Sequence, residues 1–117
     1  MKIMQDTLIG DVDRIAPQGR LDAVTVPALE TLLKEHFDGG HAKIVIDLSE
    51  VTYMSSSGLR ALLQARKQAG ALGGDLVLCC MSPRVREVFE MIGFTSLFKV
   101  FDHAAEAATA FAKSVTT

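Results

Sequence analysis

Apolar positions in the first third of the chain fall into two short runs and then change period, and each pattern marks an element. Lys2 to Ile9 and Asp13 to Gln18 are short apolar-rich runs separated by Gly10-Asp11, which predicts two strands joined by a tight turn. Pro17 lacks the amide that a central ladder needs, so a bulge, an edge position or the strand's end is expected there. From Thr25 onward the period lengthens. Val26, Leu29, Leu32, Leu33 and Phe37 share one helical face, Pro27 fits the first turn and Thr25 is available as a cap. Asp38-Gly39-Gly40 ends that helix.

Lys43 to Leu48 is apolar enough for a strand buried on both faces, and Ser49 to Met54 reads as a short link. A second helix begins within Ser55-Ser56-Ser57-Gly58 and runs to about Ala69, with Leu59, Leu62 and Leu63 inward and Arg60, Gln64 and Lys67 outward. Gly70, Gly73 and Gly74 break it before the strand Leu76 to Cys80. Ser82-Pro83 reads as a cap followed by proline at the first helical position, and Val85, Val88, Phe89 and Ile92 make that helix amphipathic up to Gly93. A short strand around Phe98 to Phe101 and a helix from His103 to about Lys113 follow.

Strand–helix–strand alternation implies parallel pairing with right-handed crossovers, while the tight first turn makes the first strand antiparallel. The expected fold is therefore α/β: a single domain over residues 1–117 with a mixed, mostly parallel sheet of four or five strands and about four helices. In such a sheet every strand-to-helix loop emerges at the same edge. Gly19-Arg20-Leu21-Asp22, Tyr53 to Gly58 and Met81-Ser82-Pro83 should gather there, where ligands and partners of open α/β sheets usually meet the fold.

Composition narrows the function classes. With 49% apolar and 22% charged residues in 117, the chain has the balance of a globular domain. A net charge of −2 and scattered basic residues, apart from Arg60, Arg66 and Lys67, speak against nucleic acid as a partner. No apolar run approaches the roughly 18–20 residues that span a bilayer. Met1 to Asp6 lacks the pattern of a secretory signal, so a cytoplasmic protein without membrane insertion is expected. Cys79 and Cys80 are adjacent in a strand, so their side chains should point to opposite faces as buried small hydrophobes rather than form a disulfide or metal site.

Catalytic chemistry finds little support. His36, His41 and His103 belong to different elements, are expected far apart and lie off the loop surface, leaving no base for a serine nucleophile. Asp47 near a strand end has no second carboxylate at convincing spacing, because Asp75 opens the next strand at the sheet's other end. The glycine-rich run Gly70 to Gly74 follows a helix and lacks a phosphate-loop lysine. No enzyme, metal or cofactor is expected on this chain.

The serines carry the remaining signal. A helix N-terminus presents unpaired N–H groups and a partial positive charge, which suits an anion or a phosphorylated side chain. One serine is explained by capping, worth about 1 kcal/mol. Three in succession leave two readings open, a plain cap and a phosphorylation switch.

The run Ile44 to Arg60, read as Ile-Val-Ile-Asp-Leu-Ser-Glu-Val-Thr-Tyr-Met-Ser-Ser-Ser-Gly-Leu-Arg, resembles the signature of the STAS domain. It is similar in particular to the small stand-alone anti-sigma factor antagonists of bacterial partner-switching systems. The resemblance extends through Gly19-Arg20-Leu21-Asp22, Gly73 to Leu78, and Ser82 to Val85 leading to Phe89-Glu90-Met91-Ile92-Gly93. It implies a phosphoacceptor two places before the glycine, Ser56, with Ser55 second and Ser57 third. Many members of that family carry aspartate where this chain has Ser55, a departure that removes a carboxylate beside the acceptor. Asp22 matches an aspartate beside the family's partner-binding surface, and it reads equally as a turn residue opening the first helix.

The implied partners are an anti-sigma factor that is also a serine kinase, holding its own ATP and magnesium, and a separate serine phosphatase. Arg20, Asp22, Ser55, Ser56, Ser57, Gly58, Leu59, Met81 and Ser82 are the expected partner-binding residues. The alternative is a STAS module that is not phosphorylated and that binds a small ligand or serves a transport or other regulatory complex.

Overall fold

The computed structural model describes residues 2–115. Its strands are β1 (Lys2–Leu8), β2 (Val12–Leu21), β3 (Lys43–Asp47), β4 (Val51–Met54), β5 (Asp75–Cys79) and β6 (Val100–Phe101). The helices are α1 (Val26–Asp38), α2 (Ser56–Ala71), α3 (Pro83–Met91) and α4 (Ala104–Val115), with one 3₁₀ turn at Phe94–Leu97. The main path of the sheet is β1-β2-β3-β5-β6; only β1 is antiparallel to its neighbour. The mixed, mostly parallel α/β sheet with four helices is the expected fold. Among the described residues it has six strands instead of four or five.

The additional strand lies in the segment expected to be a link. β3 pairs with β2 only at Asp13 to Ile15; the chain then turns through Leu48 to Glu50 and runs on in the same direction as β4, beside Gly19 to Leu21 of β2. Val51 and Met54 are buried while Thr52 and Tyr53 are exposed, so the four residues show no two-residue alternation. This detour sets the position of the serine loop, because it delivers Ser55 to the end of β2. Pro17 also finds its explanation here. β2 continues through it, and Pro17 falls between the two parallel pairings, where no ladder partner on that side needs its missing amide.

Two apolar layers sandwich the sheet. Ile44, Ile46, Leu76 and Leu78 face α1, α2 and α3 with Leu29, Leu33, Leu62 and Phe89, and Phe98 meets Phe89 edge-on at 6.2 Å between ring centres. Val12, Val45, Val77 and Cys79 face Ala107 and Ala108 of α4. β3 and β5 are thus buried on both faces, as their unbroken apolar runs predict. Ile92, expected on the buried stripe of α3, lies beyond the last helical residue and is exposed. Gly70 belongs to α2 rather than breaking it, and the final strand shortens to Val100–Phe101.

Candidate functional site at the sheet edge

Because β2, β4 and β5 run parallel, α1, α2 and α3 all start at one edge of the sheet. The serine loop is fixed there by backbone: the Ser55 amide donates to the Leu21 carbonyl at 3.0 Å, at the end of β2. Ser55 is the cap of α2. Its hydroxyl accepts from the Gly58 amide at 3.4 Å and also lies 3.4 Å from the Leu21 carbonyl, while its own carbonyl accepts from Leu59 at 3.1 Å. Ser55 and Ser57 are half-buried. Ser56, at the first helical position, is exposed, and its hydroxyl has no side-chain hydrogen bond. No acidic residue stands in this first turn. The three serines therefore separate physically into one that caps, one that is free and one that is partly covered.

Two expected contact residues prove to be packing residues. Leu59 is only 4% exposed and belongs to the core. Gly58 is buried, and a Cβ there would come within 2.8 Å of the Leu21 carbonyl and 3.1 Å of Met54. Glycine is needed because α2 starts hard against β2. Met81 is half-buried against the main core. Ser82 is also half-buried, and its hydroxyl accepts from the Val85 amide at 3.2 Å, capping α3 as expected.

Arg20 and Asp22 form the adjoining turn. The Asp22 carboxylate accepts from the Val24 and Thr25 amides at 3.1 and 3.2 Å and from Arg20 at 3.4 Å. Partial burial opposes the charged form, yet the amides of Thr25 and Val24, the Arg20 guanidinium and the Thr25 hydroxyl together hold this carboxyl below its ordinary value. Thr25 does not cap α1. Its hydroxyl turns back to donate to the Arg20 carbonyl at 2.7 Å and accepts from the Asp22 amide at 2.9 Å. The Asp22 turn takes over the role of opening the helix.

One neighbour, placed at this edge only as the start of the serine loop and not among the expected contact residues, sits in the unpredicted β4. Tyr53 is 45% exposed, with the Arg20 guanidinium 4.4 Å from its ring centre. A shallow groove beside this pair is lined by Arg20, Thr52, Tyr53, Met54, Arg84 and Val88, joining β2, β4 and α3. An exposed aromatic ring stacked by arginine is a frequent composition of protein contact surfaces.

The histidine expectation needs correction. His36 and His41 are not far apart: both direct Nδ1 at the same Asp13 carboxylate oxygen, at 2.8 and 3.3 Å, with ring centres 6.2 Å apart. Asp13 lies near the start of β2, so this cluster occupies the edge opposite the serines and offers them no base. His103 follows β6 and is exposed, at the far strand from β2 and β4.

One part of the cysteine expectation is corrected: both thiols are free and Cys79 is buried, but the two side chains do not point to opposite faces. Cys80 lies just past β5 with φ +64°, which removes it from strand alternation, and its sulfur sits 3.0 Å from that of Cys79. Burial pushes both thiols up. Asp75, as expected, lies at the sheet's other end, in register with Lys43.

The described residues thus form a six-stranded α/β module with an exposed serine beside a capped helix start at its sheet edge. Residues 9–107 match the STAS domain family, and the chain belongs to that family. A protein of Bordetella bronchiseptica named as a candidate anti-sigma factor antagonist, BtrV, is 40% identical over 111 residues, covering 95% of each chain. The anti-sigma-B factor antagonist of Staphylococcus aureus (strain NCTC 8325) is 33% identical over 82 residues, 70% of this chain and 76% of its own. Among solved structures, a candidate anti-sigma factor antagonist of Thermotoga maritima superposes with a TM-score of 0.86 at 21% identity, covering 94% of both chains. No helix among the described residues is long and apolar enough to cross a membrane.

Proposed function

We propose that this chain is an anti-sigma factor antagonist that works as a phosphorylation-controlled partner. In its unphosphorylated form it binds an anti-sigma factor that is also a serine kinase. Phosphorylation of Ser56 releases it, and a serine phosphatase restores it. The observation that carries the reading is the division of labour among the serines: Ser55 already caps α2, so the exposed Ser56 hydroxyl is left for chemistry. The relatives are named anti-sigma factor antagonists, which supports the first part of this reading.

A phosphate adds about −1.5 to −2 charge at pH 7. At the first turn of α2 that charge meets helix N–H dipoles and no acidic side chain, so the fold accommodates it. In a closed interface the same group adds bulk and a charge that must be desolvated, so the complex weakens. Arg20, Asp22 and Tyr53 extend the contact surface around it, whereas Leu59 and Gly58 act by shaping the scaffold beneath.

The test is intact mass after incubation with the kinase and ATP. Wild type should gain one phosphate, while Ser56→Ala should gain none and still bind the kinase. Phosphorylation of Ser56→Ala at the wild-type rate would move the acceptor to Ser55 or Ser57. Absence of any added phosphate on wild type would favour the alternative, a module that binds a ligand or serves a transport or other regulatory complex.

A further inference from the structure

The sheet places a second group of reactive side chains on its α4 face, away from Ser56. β3 and β5 pair in parallel with Asp47 in register with Cys79, so these two side chains lie side by side. Strand alternation would send Cys80 to the opposite face. Instead it takes φ +64°, a left-handed conformation uncommon for a residue with a side chain, and its amide donates to the Phe101 carbonyl at 3.1 Å. The result is a convergence of one carboxylate oxygen and two sulfurs, all within 4.8 Å of one another.

We propose that Asp47, Cys79 and Cys80 form a binding site for one thiophilic divalent cation of the zinc type. Two sulfur donors and one carboxylate match borderline-soft ions, whereas calcium and magnesium require shells built from oxygen. Tetrahedral zinc with Zn–S bonds of about 2.3 Å separates two thiolates by about 3.8 Å. The sulfurs stand 3.0 Å apart, so they must open by about 0.8 Å, and Cys80, outside the ladder and half-buried, has the freedom to do so.

The surroundings fit an ion as well. Two thiolates and a carboxylate around a divalent cation leave one negative charge, and the Arg14 guanidinium lies 3.9 Å from the Asp47 carboxylate. The Asp47 carboxylate is further held by the Ser49 amide at 2.9 Å, and Ala104 at the start of α4 packs with Cys80 against the same apolar cluster. These are the outer contacts that orient metal ligands. Three protein donors leave a fourth position for water on the side where Cys80 reaches the surface.

The experiment is titration of the reduced full-length protein with Co2+ under anaerobic conditions, followed by displacement with Zn2+. One equivalent of Co2+ should produce thiolate-to-cobalt charge-transfer absorption, and one equivalent of Zn2+ should abolish it. Loss of an outer-shell partner alone weakens metal sites about 10–100-fold, so Cys80→Ser should weaken binding at least about 100-fold. Asp47→Asn, a variant that retains the shape of the side chain, should weaken it as well, with circular dichroism confirming that both remain folded. His36→Gln/His41→Gln should bind as wild type does. No charge-transfer band at micromolar to millimolar Co2+, a band unchanged in Cys80→Ser, or binding lost in the histidine variant would each overturn the proposal.

Discussion

Helices α2 and α3 begin at the same sheet edge and in the same way, with a serine whose hydroxyl accepts from the amide three residues on. In α3 the distance from the Val85 amide to Ser82 is 3.2 Å; in α2 that from the Gly58 amide to Ser55 is 3.4 Å. The difference lies at the next residue. Pro83 follows the α3 cap, a residue suited to the first turn and without a hydroxyl. Ser56 follows the α2 cap, exposed and unengaged. Capping therefore accounts for Ser82 and Ser55 alike but not for Ser56, and the pair acts as an internal control for which hydroxyl is structural.

The largest break in that comparison should come from charge at the free position. Ser56→Asp, mimicking the phosphate, is expected to weaken kinase binding by about two to three decades, or about 3–4 kcal/mol, with thermal stability close to wild type. Titration calorimetry with the kinase measures it, and affinity within threefold of wild type would contradict the switch. A second large effect should appear in stability instead. Gly58→Ala pushes a methyl against the Leu21 carbonyl and should destabilise by about 1–3 kcal/mol in urea unfolding. Gly58 has no glycine counterpart in α3, which carries Val85 at the equivalent position three residues after its cap.

How much of this was legible from the sequence depends on range. Helices α1 to α4 and strands β3 and β5 follow from local periodicity, and Ser82-Pro83 announced its own cap. The serine loop and the Gly19 to Asp22 turn were placed at one edge by topology alone. β4 was illegible because its burial follows neighbours on β2 and α3, not a two-residue alternation. Leu59 was read as inward on its helix and is so, yet it and Gly58 were also placed among the contact residues, because the surroundings that bury Gly58, Leu21 and Met54, arrive from elements distant in sequence or hidden in that strand. Cys80 and the histidines failed for related reasons. One left-handed residue reverses the direction of a thiol, and the chain reversal after α1 brings His41 back to the carboxylate that His36 holds.

Smaller effects sharpen the control. Ser82→Ala and Ser55→Ala should each cost about 1 kcal/mol of stability, the usual value of a serine cap. Ser56→Ala, removing an exposed hydroxyl without a partner, should remain within about 0.5 kcal/mol of wild type. Urea unfolding of the three variants side by side decides the matter. A cost for Ser56→Ala equal to that of Ser55→Ala would mean that Ser56 also caps α2.

The subtlest prediction concerns the third helix that starts at this edge. α1 is opened by a carboxylate, Asp22, where α2 and α3 are opened by neutral hydroxyls, so only α1 should have a start that responds to pH. The folded-state value of Asp22 lies below its ordinary one. Its charged form therefore contributes stability that is fully present above the unfolded value of about 3.9 and is lost as pH falls through the lower folded value. Asp22→Asn keeps an oxygen that can accept from Val24 and Thr25 but removes the charge. Melting curves at pH 7 should place Asp22→Asn slightly below wild type, and the gap should close as the pH is lowered beneath about 4. The deficits of Ser55→Ala and Ser82→Ala should persist across the same range, because neither hydroxyl titrates. A gap for Asp22→Asn that stays constant with pH would assign the residue a purely geometric role in the turn, leaving all three helix starts alike.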